Sequence, residues 1–134
     1  MTGIFGLLNS AARGDVGAQR ALADRAVEII NEDPDVCPYT ALSEGLVFAR
    51  LAAVHGDNND EARVVVMLTM LAALQPAAGQ VLTLGEALAR YSRLADRGGE
   101  MPGARFEDVM ATFSANTMAA AQAYQQAFKQ GETV

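Results

Sequence analysis

The chain has 134 residues, about half of them hydrophobic and a fifth charged, which excludes a disordered polymer and suits a single domain with a real core. A formal net charge of −6 gives the wrong field for gripping nucleic-acid phosphates or an anionic membrane surface. The single cysteine, Cys37, excludes an intrachain disulfide and leaves too few ligands for structural zinc.

Alanine occurs 26 times, aromatics are few and tryptophan is absent, a mixture that favours helices packed closely through small side chains. Helical periodicity predicts an all-α fold of about six helices paired as αα-hairpins, in one domain over residues 1–134. The first helix spans residues 4–13 and ends at Gly14. Asp15 caps the second, which runs to about Ile30 with Leu22, Ala26, Ile29 and Ile30 on one face. Residues 31–38 form a loop, because Pro34 and Pro38 each disfavour helix in the residue before. The third helix runs from Pro38 or Thr40 to Val54, with Leu42, Leu46, Ala49 and Ala53 as its apolar stripe, and Gly56 stops it. Asn58 and Glu61 have the spacing of a capping box for the fourth helix. That helix reaches about Leu74 and is apolar nearly all round, the mark of a buried element. Its apolar run, residues 64–74, is too short to span ~30 Å of hydrocarbon. Residues 76–82 read as a connector, Thr83 and Glu86 as the next capping box, and the fifth helix ends at Arg97. After Gly98 and Gly99 a long final helix covers about residues 103–130. Phe106, Met110, Phe113, Thr117, Ala120, Tyr124 and Ala127 follow alternating 4–3 spacing along it, a coiled-coil-like seam.

Three interhelical junctions look alike: Ala11-Ala12-Arg13-Gly14-Asp15, Ala53-Val54-His55-Gly56-Asp57 and Ala95-Asp96-Arg97-Gly98-Gly99. Their alanines and glycines recur at a spacing of 42, as do Ala62-Arg63 and Ala104-Arg105. Each has a helix-ending glycine and a small alanine at the contact, and in the first two an aspartate follows the glycine. The pattern resembles the tetratricopeptide-like superfamily, especially its SEL-type bacterial relatives with Ala-Ala-x-x-Gly-Asp-x-x-Ala junctions, over residues 4–117. The spacing of 42 is longer than the ~34 of tetratricopeptide repeats and is nearer that of HEAT-type repeats. The resemblance implies a short stack of helical hairpins presenting a binding surface.

No residue pattern assembles a catalytic constellation. His55 could serve Cys37 as a base only if the fold joined them, and in the last turn of its helix it equally suits the terminal carbonyls. Two acidic clusters, Glu32-Asp33-Asp35 and Asp57-Asn58-Asn59-Asp60-Glu61, suit helix capping better than a cation. In the second, the calcium-loop slots for glycine and the distal glutamate hold Ala62 and Leu68. Arg90, Arg93 and Arg97, beside Tyr91 and Leu94, form a stripe that could grip a carboxylate-rich partner, although Glu86 stands four residues before Arg90 as an intrahelical partner. Met67, Met70, Met110 and Met118 read as core filling rather than as a ligand groove. Tyr124 and Phe128 extend the apolar face of the final helix, which either folds back or meets another chain.

These residues predict a non-enzymatic protein–protein interaction or adaptor module that self-associates through its C-terminal helix. Arg90, Tyr91, Arg93, Arg97, Tyr124 and Phe128 are its expected partner-binding residues, with no cofactor, metal, nucleic acid or membrane involved. The alternative is a small-molecule-binding protein or enzyme with an apolar pocket between the fourth and sixth helices, served by Asp24, Glu44 or Glu107. The N-terminal apolar stretch is short, lacks a basic leader and is interrupted by Gly6, so a cytoplasmic location is expected. Nine arginines to one lysine accompany the abundant alanine, as in GC-rich bacterial coding sequences.

Overall fold

The computed structural model describes residues 3–99 and 106–132. They form seven helices and, among the described residues, no strand: α1 (Ile4–Ala12), α2 (Val16–Glu32), α3 (Pro38–His55), α4 (Asn58–Ala72), α5 (Ala77–Asp96), α6 (Phe106–Met110) and α7 (Ala115–Glu132). The all-α expectation holds. The chain divides into two compact units, with the boundary between Val64 and Val65 inside α4.

In the first unit α1 packs on α2, and α2 on α3. Gly14 ends α1 with a φ of 94°, where an L side chain would be strained. Its N–H donates to the Ala11 carbonyl and the Asp15 N–H to that of Ser10, which satisfies two of the orphan carbonyls at the helix end. Asp15 caps α2 as expected, its Oδ1 accepting from the Ala18 N–H at 3.0 Å. Ala11, Ala18 and Leu22 are buried together, with Leu7 and Phe48 packed against them. On α3 the buried stripe is Leu42, Leu46, Ala49 and Ala52, so Ala52 takes the place expected of Ala53.

The capping box of α4 lies one residue earlier than its sequence spacing suggests. Asp57 is the cap: its Oδ1 accepts from the N–H groups of Asn59 and Asp60, while Asp60 Oδ2 accepts from the Asp57 N–H. Asp60 therefore holds the reciprocal position that was expected of Glu61. Its carboxylate is 1% exposed and also receives Arg20 Nε and Nη2, both at 2.7 Å, and Arg63 Nη1 at 2.9 Å. The Arg20 guanidinium, opposed by burial, holds Asp60 down at a pKa of about 2. Gly56 differs from Gly14 and Gly98: its φ is −94°, and its missing side chain is a matter of space. A Cβ there would run into the Asp60 carboxylate and come within 2.6 Å of the Ala52 carbonyl oxygen.

In the second unit α5 starts at Ala77, so residues 76–82 are not the expected connector. Pro76 is the N-cap and alanines follow it, a favourable helix start. The Gln80 side-chain amide donates back to the Ala72 carbonyl at 3.0 Å and closes the α4–α5 turn. The same closure joins Gln19 to Ala11 across the α1–α2 turn. Thr83 is buried within α5 and caps nothing. Gly98, with a φ of 73°, ends α5 with the hydrogen bonds seen at Gly14.

The long final helix is two helices. Its expected start at residues 103–105 lies outside the described residues, and α6 stops at Met110. The Thr112 hydroxyl donates to the Val109 carbonyl at 2.7 Å, and Ser114 then accepts from the Thr117 N–H to cap α7. Short polar side chains compete here with helical hydrogen bonding, which a 4–3 apolar pattern does not register. Ser114→Ala is expected to cost about 1 kcal/mol in urea unfolding, the usual worth of a Ser cap. The core of this unit joins Val65, Ala72, Leu84, Phe106, Met110 and Ala121.

Candidate functional site

The first unit carries an open cleft of about 470 Å³. Ile4 and Leu8 of α1 line it with Leu22, Ala26 and Ile29 of α2, and Ala41, Gly45 and Phe48 of α3 stand across from them. Val36 and Cys37, from the α2–α3 connection, are also among its lining residues. The residues on its walls account for the cleft. The α2 face at positions 22, 26 and 29 is apolar, while small Ala26, Ala41 and Gly45 leave space that larger side chains would fill. The apolar surface continues outward, since Ile4, Leu8 and Phe5 remain exposed, Phe5 at 80%.

Polar groups stand among the apolar walls. Arg25, Glu44, Thr40 and Cys37 also line the cleft. Arg25 Nη1 lies 3.1 Å from Glu32 and 3.6 Å from Glu28. Cys37 is the N-cap of α3 and is exposed. The Thr40 hydroxyl and then its backbone N–H favour the thiolate, so the thiol sits below its ordinary pKa. Cys37 has no His55 to serve it. The two stand at opposite ends of α3, about 27 Å apart at ~1.5 Å per residue.

Of the residues expected to bind a partner, Arg90, Tyr91 and Tyr124 have contacts within their own unit. Arg90 Nε donates to Glu86 at 2.7 Å, and both side chains are largely buried. Tyr91 stacks on Phe106 with ring centroids 4.0 Å apart and 10° between planes. Its hydroxyl donates to Glu107 at 3.0 Å, which together with burial raises the tyrosine pKa. Arg93 is half-buried and Arg97 is the exposed C-cap of α5, so the stripe divides between the two environments. Tyr124 lies against Gly85, its Cβ and Cγ 3.1 Å from where a Gly85 Cβ would stand, and Phe128 is half-buried. That face of α7 is covered by α5 of the same chain.

The apolar pocket expected between the fourth and sixth helices has its counterpart on α1, α2 and α3. Of the three carboxylates considered for it, only Glu44 lines the cleft. Asp24 accepts from Arg63 at 2.8 Å, and Glu107 from Tyr91. Sequence reasoning missed Ile4, Leu8, Val36, Ala41 and Gly45 as site residues. The available signal was an excess of apolar residues on α1, which has more than its contact with α2 can bury. Among the described residues no group of three or more His, Cys, Asp or Glu could hold a metal ion, and no helix is long and apolar enough to cross a membrane. In comparisons with known proteins, no family model, curated protein or solved structure matches the chain.

Proposed function

We propose that the protein is a non-enzymatic interaction module that holds an apolar helical segment of a partner in the cleft of its first unit. The observation that carries this reading is an open apolar cleft continued by exposed Ile4, Phe5 and Leu8. Apolar side chains kept in water beside a groove are a standing cost, which docking of a complementary face removes. An amphipathic helix fits such a groove through anchors at i, i+3, i+4 and i+7. The resemblance to tetratricopeptide-like hairpins points the same way. With Tyr124 covered by α5, docking is better assigned to the first unit than to the C-terminal helix.

The test is a titration of the full chain with a neutral helical peptide, leucine at the anchor positions and glutamine elsewhere, followed by backbone amide shifts. Saturable shifts around Ala26, Ala41 and Phe48 are expected. Ala26→Trp, which fills the cleft, is expected to abolish them while leaving the helical circular dichroism unchanged. Shifts unaffected by that variant would overturn the reading.

The cleft volume favours a second reading, a small apolar ligand, since about 470 Å³ falls within the ~300–1,000 Å³ typical of ligand sites. It predicts saturable binding of a medium-chain alcohol at the same amides and no binding of the peptide.

A further inference from the structure

Resting on the docking reading, we propose that the occupant of the cleft is a basic amphipathic helix of a partner, with lysine or arginine flanking its apolar anchors at the end that meets the α2–α3 loop. Dimensions and charge carry the inference. The cleft follows α2 from Leu22 to Ile29 and α3 from Cys37 to Phe48, roughly 10 and 16 Å at ~1.5 Å per residue. That length matches anchors spread from i to i+7, two turns of helix. Ile29, Val36 and Cys37 mark the loop end, and Leu22 and Phe48 mark the other.

Carboxylates are concentrated at the loop end. Glu28 and Glu32 stand on the last turns of α2, beside lining residue Ile29, and Asp33 and Asp35 on the loop that leads to Val36. Glu44 adds a carboxylate partway along the α3 wall, beyond the loop end, where it is exposed and makes no ion pair among the described residues. Against them the lining offers Arg25, whose guanidinium is already engaged by Glu28 and Glu32. A fatty carboxylate or an acidic helix entering this cleft would meet like charge. A basic helix would meet opposite charge on its flank and apolar walls beneath its anchors. Such complementarity chiefly sets partner choice and association rate, and salt screens it over ~8–10 Å.

Three peptides with the same leucine anchors and lysine, glutamine or glutamate at the flanking positions test the assignment on the full chain, by fluorescence anisotropy at low and physiological salt and by amide shifts. The lysine peptide is expected to bind about tenfold tighter than the glutamine peptide at low salt, and the glutamate peptide weakest. Added salt is expected to shrink the lysine advantage. Glu44→Gln with Asp35→Asn is expected to shrink it too, with the circular dichroism unchanged. Equal affinities at the cleft would overturn the basic partner and leave the docking reading standing. Shifts away from the cleft, or no binding by any of the three peptides, would overturn both.

Discussion

Replacing Asp60 with asparagine is expected to destabilise the first unit by about 3 kcal/mol at neutral pH, the range seen when one member of a buried ion pair is removed. Two carboxylate oxygens collect both donors of Arg20, one from Arg63 and the Asp57 N–H, all on a side chain 1% exposed. The asparagine keeps the shape but turns an NH2 toward donors and leaves the guanidinium groups without their shared anion. Arg20 is 41% exposed and can recover water, which keeps the cost toward the lower end of that range. The pH dependence carries a sign. Asp60 has a lower pKa folded, about 2, than its ordinary 3.8, so its contribution is complete above the ordinary value. That contribution is lost as the pH falls from about 5 through the folded pKa, and it amounts to roughly 2 kcal/mol at ~1.4 kcal/mol per unit. Urea unfolding between pH 7 and pH 2.5 is therefore expected to show Asp60→Asn as less stable but less acid-sensitive than the parent. An unchanged acid profile would mean that Asp60 is not the carboxylate clamped by Arg20.

Gly85→Leu is expected to cost the second unit about 3 kcal/mol, at the upper end of overpacking, because the added side chain would occupy the space held by the Cβ, Cγ and ring of Tyr124. Gly85 is buried within α5, and Tyr124 of α7 lies against it so closely that even a Cβ would collide with the ring. Glycine inside a helix normally costs about 1 kcal/mol relative to alanine. Here Gly85→Ala is expected to destabilise as well, since the ring must move to admit the methyl group. Tyr124→Ala should make Gly85→Ala tolerable, giving a coupling of about 1 kcal/mol or more in a double-mutant cycle. Hydrogen exchange on α7 is the accompanying readout, with protection lost in Gly85→Leu. A Gly85→Ala protein that melts higher with Tyr124 intact would show that α7 does not lie on α5, and would return Tyr124 to the surface available to a partner.

The ion pair from Arg20 to Asp60 spans forty positions, and the Gly85–Tyr124 contact nearly as many. Neither leaves a trace in local spacing. The cleft is of the same kind: its walls come from three helices and a loop, and its volume depends on where small residues on α2 and α3 happen to face one another. By contrast, the Asp15 cap, the left-handed turns at Gly14 and Gly98 and the Glu86–Arg90 pair were legible in advance, because each is decided within about five residues. Where local signals compete, residue spacing misplaces the helix boundary. Two box-like spacings overlapped at Asp57 and Asn58, an early proline masked the true start of α5, and an apolar 4–3 pattern ran across the Ser114 cap.

Periodicity and capping chemistry act over one or two turns, and they suffice for an all-α fold with a buried fourth helix and glycine-ended turns. Which helix faces meet, which arginines are engaged and where an apolar cleft stays open are settled by packing within the folded chain. Those outcomes depend on side-chain volumes and charges brought together from distant positions, which no local pattern encodes.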